Sequence, residues 1–349
     1  MRSPITTGPR RRRAARALAP FALALMTQAA FAETPPDGRA DPAALMRFAI
    51  AQACEAPIPE GAEPGPVLAE RFGGATLLEA RTFEVRGRPG KARFGLLLEN
   101  GDEVRIERLF PLGTLRRVTV EYHREVAKDT VRPAMSAATG ADCRVLRAAR
   151  IDYDADGGAE TLVLLGADLT DVLAREPLNP PVPAGRDPGG VAVAHVDTGV
   201  NYLLPGLSGR LARDENGRLL GFDFWDMDGR PFDVDTARSP FFPLHHGTAV
   251  ASILLREAPA ARLVPYRYPR PEMARFADLV KHADAQGAVV VIMAMGSNKR
   301  EDWTAFADAA AERPHMLFVI SAGNDGRDID ERPVYPAALG LGNFLVVTS

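Results

Sequence analysis

Apolar positions along this chain change rhythm twice. Over residues 41–54 they recur at helical spacing, with Leu45, Phe48, Ala49 and Ala51 on one stripe, which predicts a short helix. Over residues 80–165 the rhythm is that of strands and turns. Phe83-Glu84-Val85 and residues 92–98 flank Arg88-Pro89-Gly90, and Asn100-Gly101-Asp102 turns the chain into Val104-Arg105-Ile106. Residues 118–122 read as a further strand. Together these predict a small α+β N-terminal domain over 33–175. Residues 176–190 hold five prolines and three glycines and read as a linker. Beyond them come continuous apolar runs at 191–196, 289–295 and 317–320, separated by helical stretches at 276–286 and 303–312. Strands apolar on both faces suit a parallel sheet covered on both sides. The fold class predicted for residues 191–349 is therefore α/β, a doubly wound parallel sheet.

Composition changes the picture mainly at the N-terminus. Arg10, Arg11, Arg12, Arg13 and Arg16 precede an apolar stretch over 17–26, and Ala30-Phe31-Ala32 follows. This is the pattern of a secretory signal over 1–32, cut after Ala32. The stretch is shorter than the ~20 residues a spanning helix needs, and Pro20 interrupts it. The expected location is secreted or periplasmic, with no membrane contact beyond the signal. Residues 1–32 hold six Arg and no acid, so the remainder carries 36 basic and 45 acidic side chains. That balance argues against nucleic acid as a partner. Export also frames Cys54 and Cys143, which are either a disulfide or two buried thiols. Neither has the spacing of a metal site.

Candidate chemistry sits in three short strings. The run 191–196 ends in Asp197-Thr198-Gly199, and in open α/β sheets working groups gather at the carboxyl ends of strands. Aspartic proteases also use Asp-Thr-Gly, but they need a second copy or a dimer of an all-β chain, and this chain holds one copy. His246-Gly247-Thr248 follows, with small residues that let a helix pack tightly beneath an imidazole at its start. Ala322-Gly323-Asn324 comes after the run 317–320. An Asn amide past a strand end can donate to a developing oxyanion, a contact worth about 10²–10³ in rate in subtilisin.

In this order, together with Met293-Ala294-Met295-Gly296 and Tyr335-Pro336-Ala337, these strings resemble the subtilase family over residues 187–349, nearly half of the chain. The resemblance implies a subtilisin-like sheet, incomplete at its C-terminal end, in a serine endopeptidase acting on protein or peptide substrates. It implies that Asp197 orients His246, that His246 is general base toward a serine, and that Asn324 stabilises the oxyanion. It further implies that Ala294, Met295 and Gly296 form an extended edge for substrate backbone. No cofactor is required, and calcium is left open.

Three departures accompany the match. The family's nucleophile lies in a Gly-Thr-Ser string, and this chain has none; its serines are at 3, 136, 208, 239, 252, 297, 321 and 349. Without that nucleophile the chain is expected to be inactive, as the front part of a longer protease. The alternative is a non-catalytic, peptide-binding pseudoprotease. Residues 266–276 lack the glycine-rich strand that usually lines the far side of the cleft. An acidic insert with Asp223, Asp226, Asp228, Asp233 and Asp235 separates Asp197 from His246 and reads as a solvated hairpin or a calcium loop. Asp152, Asp154 and Asp156 open like an EF-hand loop, but position 12 is Val163, so a hairpin turn is expected. Residues 33–180 are either a propeptide or a retained accessory domain.

Overall fold

The computed structural model describes residues 34–348 apart from Pro57, Pro59 and Arg327. The signal predicted over 1–32 and Ser349 lie outside the described residues. No helix among the described residues is long and apolar enough to cross a membrane.

The first unit opens with α1 (Pro42–Ile50), whose cap is Asp41: its carboxylate accepts the Ala44 amide at 2.9 Å. A π turn (Ala51–Glu55) and α2 (Pro64–Arg71) follow. Eight strands then pair antiparallel, each with the next: β1 (Thr76–Val85), β2 (Arg88–Leu97), β3 (Glu103–Leu109), β4 (Arg117–Ala127), β5 (Thr130–Gly140), β6 (Val145–Tyr153), β7 (Ala159–Leu165) and β8 (Val172–Pro177). Leu45, Met46, Ala49 and Leu68 of the helices meet Phe94, Leu96, Ile106, Val120 and Met135 on one face of this sheet. Cys54 and Cys143 are joined, with Cα atoms 5.7 Å apart, tying the π turn to the β5–β6 turn. Closing a loop of 89 residues stabilises the fold by about 4–5 kcal/mol on the chain-entropy account.

The second unit is α/β. Its elements are β9 (Val191–Asp197), α3 (Pro205–Ser208), β10 (Phe222–Asp223), α4 (Gly247–Glu257), β11 (Ala261–Arg267), α5 (Phe276–Ala285), β12 (Val290–Met293), α6 (Thr304–Ala311), β13 (Leu317–Ser321) and β14 (Phe344–Val347). All six strands run parallel, in the order β10-β11-β9-β12-β13-β14. Side chains alternate between faces. Ala192, Ala194, Val196, Val291 and Phe318 pack with Phe276, Leu279 and Phe306 of α5 and α6. On the other face, Val193 and Leu263 pack with Ala251 and Leu255 of α4.

That second core also takes in Ala149, Ile151 and Leu162, which come from the back of β6 and β7. The two units are thus packed on one another. Around this seam the His123 and Phe241 rings meet edge-on, and the Arg147 guanidinium lies 3.9 Å over Phe242. The span 176–190 lies along the seam. Leu178 is buried, Pro180 accepts the Tyr202 hydroxyl at 2.6 Å, and Pro183 accepts from the Arg213 guanidinium at 2.9 Å. Asp187 takes the Arg213 amide and the Arg262 guanidinium, fixing where β9 begins.

Pairing register also places the strand ends. Val196, Met293, Ile320 and Val346 are neighbours across β9, β12, β13 and β14. Asp197, Ala294 and Ser321 therefore share one row at the carboxyl edge.

Candidate active site

Asp197 is the last residue of β9 and is buried. Its carboxylate accepts the Thr198 amide at 2.7 Å, and both oxygens face the His246 Nδ1, at 2.8 and 3.0 Å. The His246 ring is half exposed, at 53% for the side chain. With Nδ1 turned to the buried carboxylate, Nε2 points away from it toward the open side. The adjacent His245 differs: its Nδ1 meets the backbone carbonyl of Asp233 at 2.5 Å, not a carboxylate.

Close backbone approaches, of the turn after β9 to the 231–232 segment and of α4 to that turn, explain the glycines in both strings. Gly199 has φ +95°, and a Cβ there would sit 2.3 Å from the Phe232 carbonyl oxygen. At Gly247 a Cβ would lie 2.0 Å from the Gly199 carbonyl oxygen and 3.0 Å from the Asp197 Cβ. The imidazole meets the carboxylate only because the helix start can come this close.

Two further residues organise the pair, in roles that the residue string alone does not announce. Thr198 Oγ1 accepts the amides of His246 at 3.2 Å and Gly247 at 2.8 Å. It donates to Asp233, whose other oxygen takes the Thr248 amide at 2.8 Å. Asp233 is buried, between buried Phe232 and Val234. An acid between two apolar residues is the sequence signal it carries, and Asp223, between Phe222 and Phe224, shares it. His195, on the same face of β9, is fully buried and pairs through Nε2 with the Gly247 carbonyl at 2.9 Å. Burial lowers its imidazole below the usual value and keeps it neutral.

The other acids of the insert have separate partners. Asp223 and Asp226 pair with the buried Arg267, which lies 4.5 Å beneath the Trp225 ring. Asp228 takes Arg230 and Asn179, and Asp235 takes the Ala237 amide. Among the described residues no three His, Cys, Asp or Glu side chains gather to hold a metal ion. Asp154 accepts the amides of Asp156 and Gly158, while Asp152 pairs with Arg150 and Arg175. The EF-like string is a hairpin turn between β6 and β7.

Ala294, Met295 and Gly296 follow β12 outside any helix or strand and lead to Ser297, which exchanges backbone bonds with Tyr335 at 2.8 Å. Asn324 is exposed, three residues past β13. One strand separates β13 from β9, which sets their backbones about 10 Å apart. The structure thus joins Asp197 to His246 and hangs Asn324 from the same edge. Among the described residues no serine hydroxyl is bonded to His246; Ser252 bonds back to Thr248 and Ser297 accepts from Trp303.

A buried carboxylate bonded to the Nδ1 of a half-exposed imidazole is an arrangement that triad hydrolases also contain. Residues 189–349, a little under half of the chain, match the model of the subtilase family. The chain is similar to the thermophilic serine proteinase of Bacillus sp. (strain AK1), 27% identical over 168 residues. That alignment covers 44% of this chain and 38% of the relative, so the chain spans less than two fifths of the protein it matches.

Proposed function

We propose that residues 191–349 are the acid–base part of an exported serine endopeptidase with a doubly wound, subtilisin-like sheet. The observation that carries this is the bond from His246 Nδ1 to the buried Asp197 carboxylate, on a ring otherwise open to solvent. In this reading His246 Nε2 takes the proton of a serine hydroxyl as its oxygen attacks the scissile carbonyl. Asp197 stabilises the imidazolium that forms, and Asn324 donates to the oxyanion. The imidazolium then gives its proton to the leaving amine, and water repeats the cycle on the acyl-enzyme. The edge 294–296 pairs with substrate backbone.

The serine comes, in this proposal, from a segment that follows residue 349. Support lies in a bare stretch of sheet beside the pair. On the face that holds His195 and Asp197, the row His195–Ile292–Val319–Leu345 runs from fully buried to 49% exposed. Leu317 and Val347 on the same face are 40% and 43% exposed. A further segment packed there would cover apolar surface on the face of the sheet that holds Asp197.

The test is fluorophosphonate labelling of the full gene product. Labelling is expected, and His246→Ala should abolish it; loss of a triad member costs about 10⁶ in kcat in subtilisin. A full-length product that never labels but retains peptide would instead support the non-catalytic, peptide-binding alternative.

A further inference from the structure

The cap residue of α4 is His246, and its own side chain makes no capping bond. Helix starts leave amides without intrahelical partners, and a short polar side chain at the cap ordinarily takes them. Here the cap position is occupied by an imidazole committed to Asp197. The amides of His246, Gly247 and Thr248 are instead satisfied from outside the helix, the first two by Thr198 Oγ1 and the third by Asp233.

Thr198 has a single hydroxyl proton and two acceptors within reach. Asp233 Oδ1 stands at 2.5 Å and Asp197 Oδ1 at 3.3 Å. The nearer one takes the proton. Thr198 then presents its lone pairs to the His246 and Gly247 amides, and Asp197 keeps its oxygens for His246 and the Thr198 amide. An amide side chain at 233 cannot reproduce this arrangement. It has one acceptor oxygen for two donors, so either Thr198 or Thr248 loses its partner.

We infer that Asp233 is a positioning residue: a cap supplied from outside the helix that, through Thr198, holds the His246 imidazole on Asp197. The inference rests on the protease reading for its purpose but not for its test, which needs no serine. In the ¹⁵N-labelled chain, side-chain correlations should show His246 as the Nδ1–H tautomer with a protected proton. Asp233→Asn should speed exchange of that proton by about 5- to 30-fold, the factor matching loss of one or two kcal/mol at a cap. The backbone amide of Val264, in the core of β11, reports global opening and should change less.

Thr198→Val should reproduce the effect, Thr198→Ser should restore it, and Thr198→Val with Asp233→Asn should be no worse than either alone. Asp235→Asn is the control and should leave His246 unchanged. Parallel acceleration at His246 and Val264 would mean that Asp233 only stabilises the fold, and would overturn the inference. So would an unchanged His246 proton in Asp233→Asn. A wild-type chain lacking the Nδ1–H signal altogether would sink the Asp197–His246 pairing itself, a separate failure.

Discussion

The two ends of the parallel sheet are finished to different degrees. At β11 and β9 both faces are covered, by α5 and α6 on one side and by α4 with the N-terminal sheet on the other. At β13 and β14 the α6 side is packed, while Leu317, Leu345 and Val347 on the opposite side stand in solvent. Asp197 and His246 belong to the closed end, and Asn324 hangs from the open one. The Asp197–His246 pair therefore sits where the sheet is packed on both faces. The groups proposed to meet the substrate carbonyl depend on whatever covers the open end.

Substitutions can break this contrast in graded steps. Gly247→Ala forces a Cβ into the Gly199 carbonyl and should cost more than about 4 kcal/mol, leaving little folded protein in a thermal melt. Gly342→Ala, at the open end with nothing within 4 Å, should melt like wild type. Next, Leu263→Ala in the closed core should cost about 2–5 kcal/mol in urea unfolding. Leu345→Ala should cost less than about 1 kcal/mol, and equal losses at the two sites would erase the distinction.

Acid should weaken the closed end through His195. Burial depresses its folded-state value, so the unfolded chain takes up a proton that the native chain refuses. Stability is full above about pH 7 and falls below about 6.5, by about 1.4 kcal/mol per pH unit for this group. His282, also lowered by burial, works in the same direction. Unfolding free energy measured from pH 7.5 to 5.5 should decline, and His195→Gln should flatten that decline by one proton's worth. The smallest effect is expected from Leu345→Lys with Val347→Lys. Folding stability should shift by about 0.5 kcal/mol or less, while binding of a hydrophobic dye and self-association drop.

Some of this was legible in the residue string. Asp197 and His246 stand in short strings that are weak singly, and it was their order and the family resemblance that put them side by side before the fold did. Asp233 could not be read with the pair, since its role exists only where the loop folds back over Thr198. In the N-terminal unit, strand β5 was hidden because Pro133 and the alanines of 134–138 have weak strand preference. Pro133 is accommodated at a register shift opposite His123. The apolar back of β6 and β7 gave alternation but no hint of its partner, because periodicity says which side is buried and not by what.

The strap over 178–187 bears on modularity. A junction rich in proline and glycine invites a cut-and-graft experiment, with the α/β unit lifted out at residue 188. Here that cut would remove Leu178 from a shared core, strip the hydroxyl of Tyr202 of its acceptor and leave Arg213 and Arg262 without Asp187. The seam behaves as a single tailored join, so a chimera that keeps residues 145–190 with the α/β unit preserves more of its contacts than one divided where the sequence looks loosest.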